Sequence, residues 1–407
     1  AFRPAWGKLG ELKKILSNNV RWKAFSATFP PHILETVTKT ILKTNYVSIH
    51  VTSNRPNTIY ATHQVFESID DARNYECFIH GPVFDFDKQP HVLIFVDNKD
   101  HTNLIARHLD SLLPPDYRDR GVVRHYHSGM SERYLRQTHE EFVKEDGLCR
   151  ILISTSGQSV GVDFPNVKIV CTAGLPATMV DCLQRGGRAA RSSGQTALFV
   201  VFFEKNMLQI NEKEFTGDVQ DPDRPREKLT AKPKRLERAP LSGVRLVQTT
   251  GCLRKFFADY LNDKSPEAMQ FTTQFCCDRH DDGFSLEAEL PGFLYCGAVE
   301  ESATEGRSVQ NRYRPKYERP ALDRLLIDWV ERMAEEDKTL RAPYDILSHM
   351  QRDKIQRVAF KNISSPSRIR EILNETEEWE AEWASQIYQI IRDYEPVRTR
   401  KPVTKKK

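Results

Sequence analysis

Four unbroken apolar runs constrain this chain more than any other feature: Val92-Leu93-Ile94-Phe95-Val96, Ile151-Leu152-Ile153, Ile169-Val170-Cys171 and Ala197 to Phe203. A strand with one wet face alternates apolar and polar residues, whereas a strand covered on both faces reads as a continuous apolar run. Between the runs lie stretches with helical spacing, such as Leu104, Ile105, His108, Leu109 and Leu112. Strands alternating with helices predict an α/β fold with a parallel, doubly wound sheet over residues 86–210. The chain has 407 residues and is 39% hydrophobic, enough for two or three domains on a prior of about 150 residues each.

On either side the pattern changes. Over residues 1–85, Leu9, Leu12 and Leu16 predict a helix and Lys23 to Ala27 a short strand ending in Ser26-Ala27-Thr28; Ile33, Val37 and Ile41 predict a second helix, and Tyr46 to Val51 a second strand. Two strands with their helices do not complete a domain, so this part reads as the C-terminal end of a first one. Residues 211–244 are polar and linker-like, 245–284 form a short cysteine-bearing unit, and 285–319 read as a second linker. Residues 320–396 predict a helical module: Leu322, Leu325, Leu326, Trp329, Val330 and Met333 share a face, Ser365-Pro366 suits a helix start, and Trp379, Trp383, Ile387 and Ile391 form another stripe. Its tryptophans are read as core packing in preference to base stacking.

Charge and cysteine usage exclude several classes. Of 60 basic residues, six lie in the tail 397–407, leaving 54 against 56 acidic ones. The body is therefore not a generally basic nucleic-acid binder, and phosphate affinity must come from local patches or from the tail. Eight cysteines are too few for a disulfide scaffold, and Cys252, Cys276 and Cys277 crowd together, as suits a reducing compartment and one metal site. No apolar run reaches the roughly eighteen residues a membrane helix needs, and no signal-peptide plan is present. No membrane partner is expected, a nuclear location is, and nothing in the sequence names a protein partner. The chain opens on Ala1, which reads as a fragment of something longer.

The chemistry concentrates in Gln184-Arg185-Gly186-Gly187-Arg188-Ala189-Ala190-Arg191. Two arginines three apart, taken to open a helix and flanked by glycines, suit a polyanion, since guanidinium groups stabilise charge developing on a γ-phosphoryl. The plainer alternative is a solvated basic helix face. Upstream stand Ser154 to Asp163 after a buried strand, His127-Ser128-Gly129-Met130, Phe95-Val96-Asp97-Asn98 and Ser26-Ala27-Thr28.

In order and spacing these five stretches resemble motifs III to VI of superfamily 2 helicases, whose motif VI, Q-x-x-G-R-x-x-R, is filled by Gln184, Gly187, Arg188 and Arg191. Within that superfamily the chain resembles RecQ-family DNA helicases over roughly residues 1 to 283. Phe2-Arg3-Pro4 and Leu9 look like the segment after that family's DExH box, and Asn54-Arg55-Pro56-Asn57 like its N-R-P-N element. Gly161-Val162-Asp163 looks like the end of motif V. Cys252-Leu253-Arg254, opening a helix faced by Phe256, Phe257 and Tyr260, and Cys276-Cys277-Asp278-Arg279-His280 are similar to that family's zinc subdomain.

The resemblance implies RecA-like motor domains and an ATP-dependent 3′ to 5′ DNA helicase using ATP, Mg²⁺ and Zn²⁺, with DNA as partner. It implies that Arg188 and Arg191 reach the γ-phosphate and Gln184 senses the nucleotide, while Gly161, Asp163 and Gly187 line the ATP cleft. Thr155, His127, Arg55 and Asn57 would lie by the nucleic acid, and Ser26, Ala27 and Thr28 would couple hydrolysis to closure. For the metal, Cys277 and His280 have a short ligand spacing, Cys252 is a third donor, and Cys276 is the fourth if two adjacent sulfurs can face one ion. A zinc-free helical unit with buried thiols is the alternative.

Departures are equally informative. Ser159 stands where motif V usually has Gly, motif IV lacks the usual Tyr-Cys pair, and neither a G-x-x-x-x-G-K-[ST] loop nor a DExH box occurs in the 407 residues. The expectation is a helicase fragment without its phosphate loop, inactive alone. The rival is an ATPase-deficient nucleic-acid-binding or scaffold protein derived from a helicase. An RNA helicase is a third reading, against which the cysteine unit argues.

Overall fold

The computed structural model describes residues 9–16, 19–155, 164–191, 194–226, 238–295, 314, 319–336, 343–358, 360–373 and 375–397. Two units are present, residues 1–97 with 120–296 and residues 98–119 with 297–407. No helix among the described residues is long and apolar enough to cross a membrane.

The first unit is built on six parallel strands: β1 (Thr58–Gln64), β2 (Val92–Val96), β3 (Val123–Tyr126), β4 (Ile151–Thr155), β5 (Ile169–Ala173) and β6 (Ala197–Phe203), in the order β1-β6-β5-β2-β4-β3. Every residue of β2, β5 and β6 is buried, the outcome expected of unbroken apolar runs in a parallel sheet. The longer helices of this unit are α1 (Leu9–Ile15), α2 (Pro31–Thr40), α4 (Glu132–Val143), α5 (Met179–Gly186), α6 (Leu241–Gln248) and α7 (Leu253–Leu261), with a single turn at Leu286–Glu289; α3 (Lys99–Ser111), between β2 and β3 in the chain, falls in the second unit. Local chemistry sets their starts: the Ser131 hydroxyl accepts from the Tyr134 amide at α4, and Thr178 accepts from the Asp181 amide at α5.

Three expectations need correction here. The sheet takes in β1, so a domain boundary at residue 85 would cut through it. The strands expected at Lys23–Ala27 and Tyr46–Val51 are absent: no described strand runs beside them, and extended chain without a hydrogen-bonding neighbour is not a strand. Their apolar residues face outward, Phe25 at 87%, Val47 at 85% and Ile49 at 86% exposure. Lastly, the stretch read as a linker up to residue 244 already contains the start of α6, whose Leu241 and Val244 share one core with Leu253, Phe257 and Cys277 of the cysteine unit and Phe199 of β6. That unit is therefore packed on the sheet, and not a separate bead.

The second unit is helical: α3, then α8 (Arg319–Glu336), α9 (Pro343–Ile346), α10 (His349–Arg357), α11 (Pro366–Leu373), α12 (Glu377–Trp379) and, after a π-helical turn at Glu380–Ala384, α13 (Ser385–Val397). Leu322, Leu326, Trp329, Val330, Trp379, Trp383, Ile387 and Ile391 form its core, with the Trp329 and Trp383 rings edge to face at 5.9 Å, so the tryptophan stripes do pack inward. Within this unit α3 is bound to the module through Asn103 Nδ2 to the Tyr344 carbonyl (3.2 Å), Arg107 Nη1 to the Asp345 carbonyl (2.8 Å) and an Arg107–Glu375 ion pair (3.2 Å). Phe2-Arg3-Pro4 and the basic residues of the tail lie outside the described residues.

Candidate nucleotide and metal site

The arginine octapeptide does not open a helix as expected; it closes one. α5 ends at Gly186, and a Cβ there would stand 2.8 Å from the Phe199 ring, so only glycine lets the helix end approach β6 this closely. The chain then tightens, with Arg188 N donating to the Arg185 carbonyl and Ala189 N to the Gly186 carbonyl, each at 3.0 Å. Ala190 sits at φ +42°, a left-handed conformation that costs an L-residue of order 1 kcal/mol and persists only when its surroundings hold it. They do: Arg55 Nη2 donates to the Ala189 carbonyl at 2.6 Å and Asn57 Nδ2 to the Ala190 and Gln195 carbonyls at 2.9 Å. Arg188 is largely buried in this turn, while Arg191 is exposed, its Nε on the Gly187 carbonyl at 3.1 Å.

Arg55 and Asn57, expected beside nucleic acid, thus direct these donors at the backbone of the arginine turn. Sequence reasoning missed Arg185. Its guanidinium is buried, pairs with Asp97 at 2.8 Å and lies over the Phe95 ring, 5.6 Å from its centre. The two partners stand in separate motifs of the sequence; only the sheet order, with β5 beside β2, brings them together.

Of the residues expected to couple hydrolysis to closure, Thr28 lies against α5. Gln184 Nε2 lies 3.4 Å from Thr28 Oγ1, and the Ser26 hydroxyl accepts from the Thr28 amide at 3.0 Å. The Ala27 carbonyl accepts from Ser53 Oγ at 2.8 Å. Tyr126 pairs with Ser154 and Val96 with Thr155, so His127, Thr155 and Asp97 lie together at the carboxyl ends of neighbouring strands, where α/β sheets bind ligands. Thr155 is half-buried there. His127, however, is wholly buried, its Nδ1 accepting from the Gly129 amide at 3.0 Å, so its ring shapes the 127–130 turn instead of facing a strand of nucleic acid. Gly161 and Asp163 lie outside the described residues, as does Ser159.

Cys252, Cys276, Cys277 and His280 converge: one donor atom from each lies within 4.8 Å of all the others. Cys252 Sγ is 3.6 Å from that of Cys276 and 3.9 Å from that of Cys277. Tetrahedral Zn²⁺ with bonds of about 2.3 Å needs sulfurs about 3.8 Å apart, so the donor set fits that ion. The backbone brings the two adjacent cysteines to one side. Tyr60 N donates to the Cys276 carbonyl at 3.4 Å and Asp278 N to the Tyr60 carbonyl at 3.1 Å, so Cys277 bridges to the β1 edge while both sulfurs reach Cys252. The neighbouring thiols of Cys276 and Cys277 hold Cys252 well below the ordinary thiol pKa, and Cys276 is pushed up in the same exchange. A thiolate is the form a metal binds.

Residues 75–193 match the helicase conserved C-terminal domain. This part of the chain is a helicase C-terminal domain. The six-stranded parallel sheet, of which β2 to β5 lie within the matched residues, has the RecA-like fold. Among relatives, the ATP-dependent RNA helicase R290 of Acanthamoeba polyphaga mimivirus is 25% identical over 281 residues, covering 69% of this chain and 46% of that protein. DEAD-box ATP-dependent RNA helicase 25 of Oryza sativa subsp. japonica is 34% identical over 119 residues, covering 29% and 18%. ATP-dependent DNA helicase RecQ of Bacillus subtilis (strain 168) is 25% identical over 143 residues, covering 35% and 22%. The chain spans less than half the length of each of these relatives.

Proposed function

We propose that the chain is the second jaw of a nucleic-acid-dependent ATPase motor, and that the motor is a 3′ to 5′ DNA helicase of RecQ type. The observation that carries the motor reading is the arginine turn: Arg188 and Arg191 follow a helix end fixed by Gly186, and the Ala189 and Ala190 carbonyls between them are clamped by Arg55 and Asn57. Preorganised guanidinium groups need no rearrangement when charge develops on a γ-phosphoryl, and that saving is what lowers the barrier. Gln184 beside Thr28 is placed to carry the nucleotide's state to the 26–28 segment. Helicases of this kind use ATP with Mg²⁺; the phosphate loop and Mg²⁺ ligand would belong to a first motor domain, and cycles of closure on ATP would move the jaws along one strand. Phosphate contacts make such a grip independent of sequence.

The DNA reading rests on the cysteine cluster. Bound there, Zn²⁺ would tie α7 to the β1 edge, with Cys252, Cys276, Cys277 and His280 as ligands. The purified protein is then expected to carry about one zinc per chain, with chelation lowering its unfolding midpoint; a metal-free preparation of equal stability contradicts the site. The names of most similar proteins favour a second reading, RNA unwinding. ATP turnover by the native protein, titrated with single-stranded DNA and with RNA, separates the two: stimulation by DNA supports the first reading and by RNA alone the second, while no turnover with either supports a binding protein. The six basic groups of the tail suit nuclear import, which localisation of a tail-deleted copy would test.

A further inference from the structure

Arg254 stands two residues past Cys252, in the first turn of α7, and is 2% exposed. A guanidinium taken out of water loses its hydration and must recover it from fixed acceptors. The acceptors are the Asn54 side-chain oxygen and the Arg55 carbonyl (2.9 Å) for Nη1 and the Thr58 carbonyl (2.6 Å) for Nη2, with the Tyr60 ring 5.0 Å from Cζ. All of these are neutral and all lie in residues 54–60. At the same helix start the Leu253 amide donates to Cys277 Sγ at 3.3 Å, and Tyr60, whose ring lies against the Arg254 guanidinium, bridges to Cys277. Arg254 therefore stands between the cysteine cluster, through its neighbours Cys252, Leu253 and Tyr60, and residues 54–58, which it holds directly.

Those residues are also the ones that hold the arginine turn. Arg55, whose carbonyl Arg254 grips, donates its side chain to Ala189 and Ala190, and Asn57, just before the gripped Thr58 carbonyl, donates to Ala190 and Gln195. Ala190 is the residue at positive φ, the point at which released carbonyls would let the turn relax. We propose that Arg254 is a positioning residue for nucleotide hydrolysis. It transmits the integrity of the Cys252–Cys276–Cys277–His280 cluster through residues 54–58 to the turn bearing Arg188 and Arg191. The inference rests on the motor reading for its function but not for its geometry.

Amide hydrogen exchange on the full 407-residue chain tests the geometry without any need for catalysis. In Arg254→Ala, exchange across residues 183–191 is expected to rise about tenfold or more, the scale of losing hydrogen bonds to a charged group, while residues 92–96 in the sheet keep their protection. Arg254→Lys should restore little, because an ammonium cannot span the Asn54, Arg55 and Thr58 acceptors at once. Chelation of the wild-type chain should raise the same segment, and chelation of Arg254→Ala should add nothing further, the non-additivity expected of one shared route. Wild-type protection of 183–191 in Arg254→Ala overturns the proposal. If that variant instead loses protection everywhere, Asn57→Ala decides, since it leaves Arg254 in place: a rise confined to the turn upholds the link and no rise overturns it. In the native protein Arg254→Lys should lower kcat about tenfold with nucleic-acid affinity unchanged. If the native wild-type protein turns over no ATP, the motor reading fails and the exchange result still stands.

Discussion

Two segments flank the β1 edge, and they reach it by different physics. Residues 252–280 do so by burial: Leu253, Phe257 and Cys277 enter the core, the Phe257 ring meets that of Tyr60 at 5.0 Å, and Cys277 bridges to Tyr60. Residues 19–57 bury little. α2 has no buried residue, and Phe25, Val47, Ile49 and Val51 face outward. That segment is held by polar contacts, among them Thr52 Oγ1 and the Ser53 amide on Asp263, at 2.7 and 3.1 Å, and Asn54 Nδ2 on the Glu267 and Gln270 carbonyls at 2.7 Å. Yet it supplies Thr28, Arg55 and Asn57 to the candidate site. Stability and function are thus drawn from different neighbours of one strand: the apolar segment anchors, the polar one positions.

The contrast can be broken by substitution. Phe257→Ala should cost about 3–5 kcal/mol in urea unfolding, the toll of a buried aromatic and its cavity. A smaller effect is expected of Gly186→Ala, about 1–3 kcal/mol, because the added methyl meets the Phe199 ring at 2.8 Å and the core must give way; that variant should also disturb the arginine turn, which Phe257→Ala should not. Ile49→Ser, at the outward face of the polar segment, should change stability by no more than about 0.5 kcal/mol. A cost for Ile49→Ser equal to that for Phe257→Ala would erase the distinction between the two segments.

The same contrast explains how much could be read before folding. β2, β4, β5 and β6 were legible because strands buried on both faces have unbroken apolar sequences. β1 and β3 were not: they are the outermost strands of the sheet, four to seven residues long, and β3 carries Arg124 and His125 only partly buried. The strands expected at 23–27 and 46–51 show the converse error, apolar sequence without a partner to pair with. Of the site, the arginine octapeptide and the four candidate metal donors were legible as residue types at short spacing. The Arg185–Asp97 pair was not, since 88 residues separate its members and only strand order joins them. Nor could spacing reveal that Arg55 and Asn57 clamp a turn more than 130 residues away, or that His127 is buried.

The most direct test of a phosphate-binding arginine turn is ATP turnover by the native protein carrying Arg191→Ala, measured beside its affinity for single-stranded nucleic acid. Arg191 is exposed and its Nε donates to the Gly187 carbonyl within its own turn, so the fold should survive its loss. Turnover lower by about a thousandfold with nucleic-acid affinity retained is the expected result; turnover at the wild-type rate would contradict the assignment.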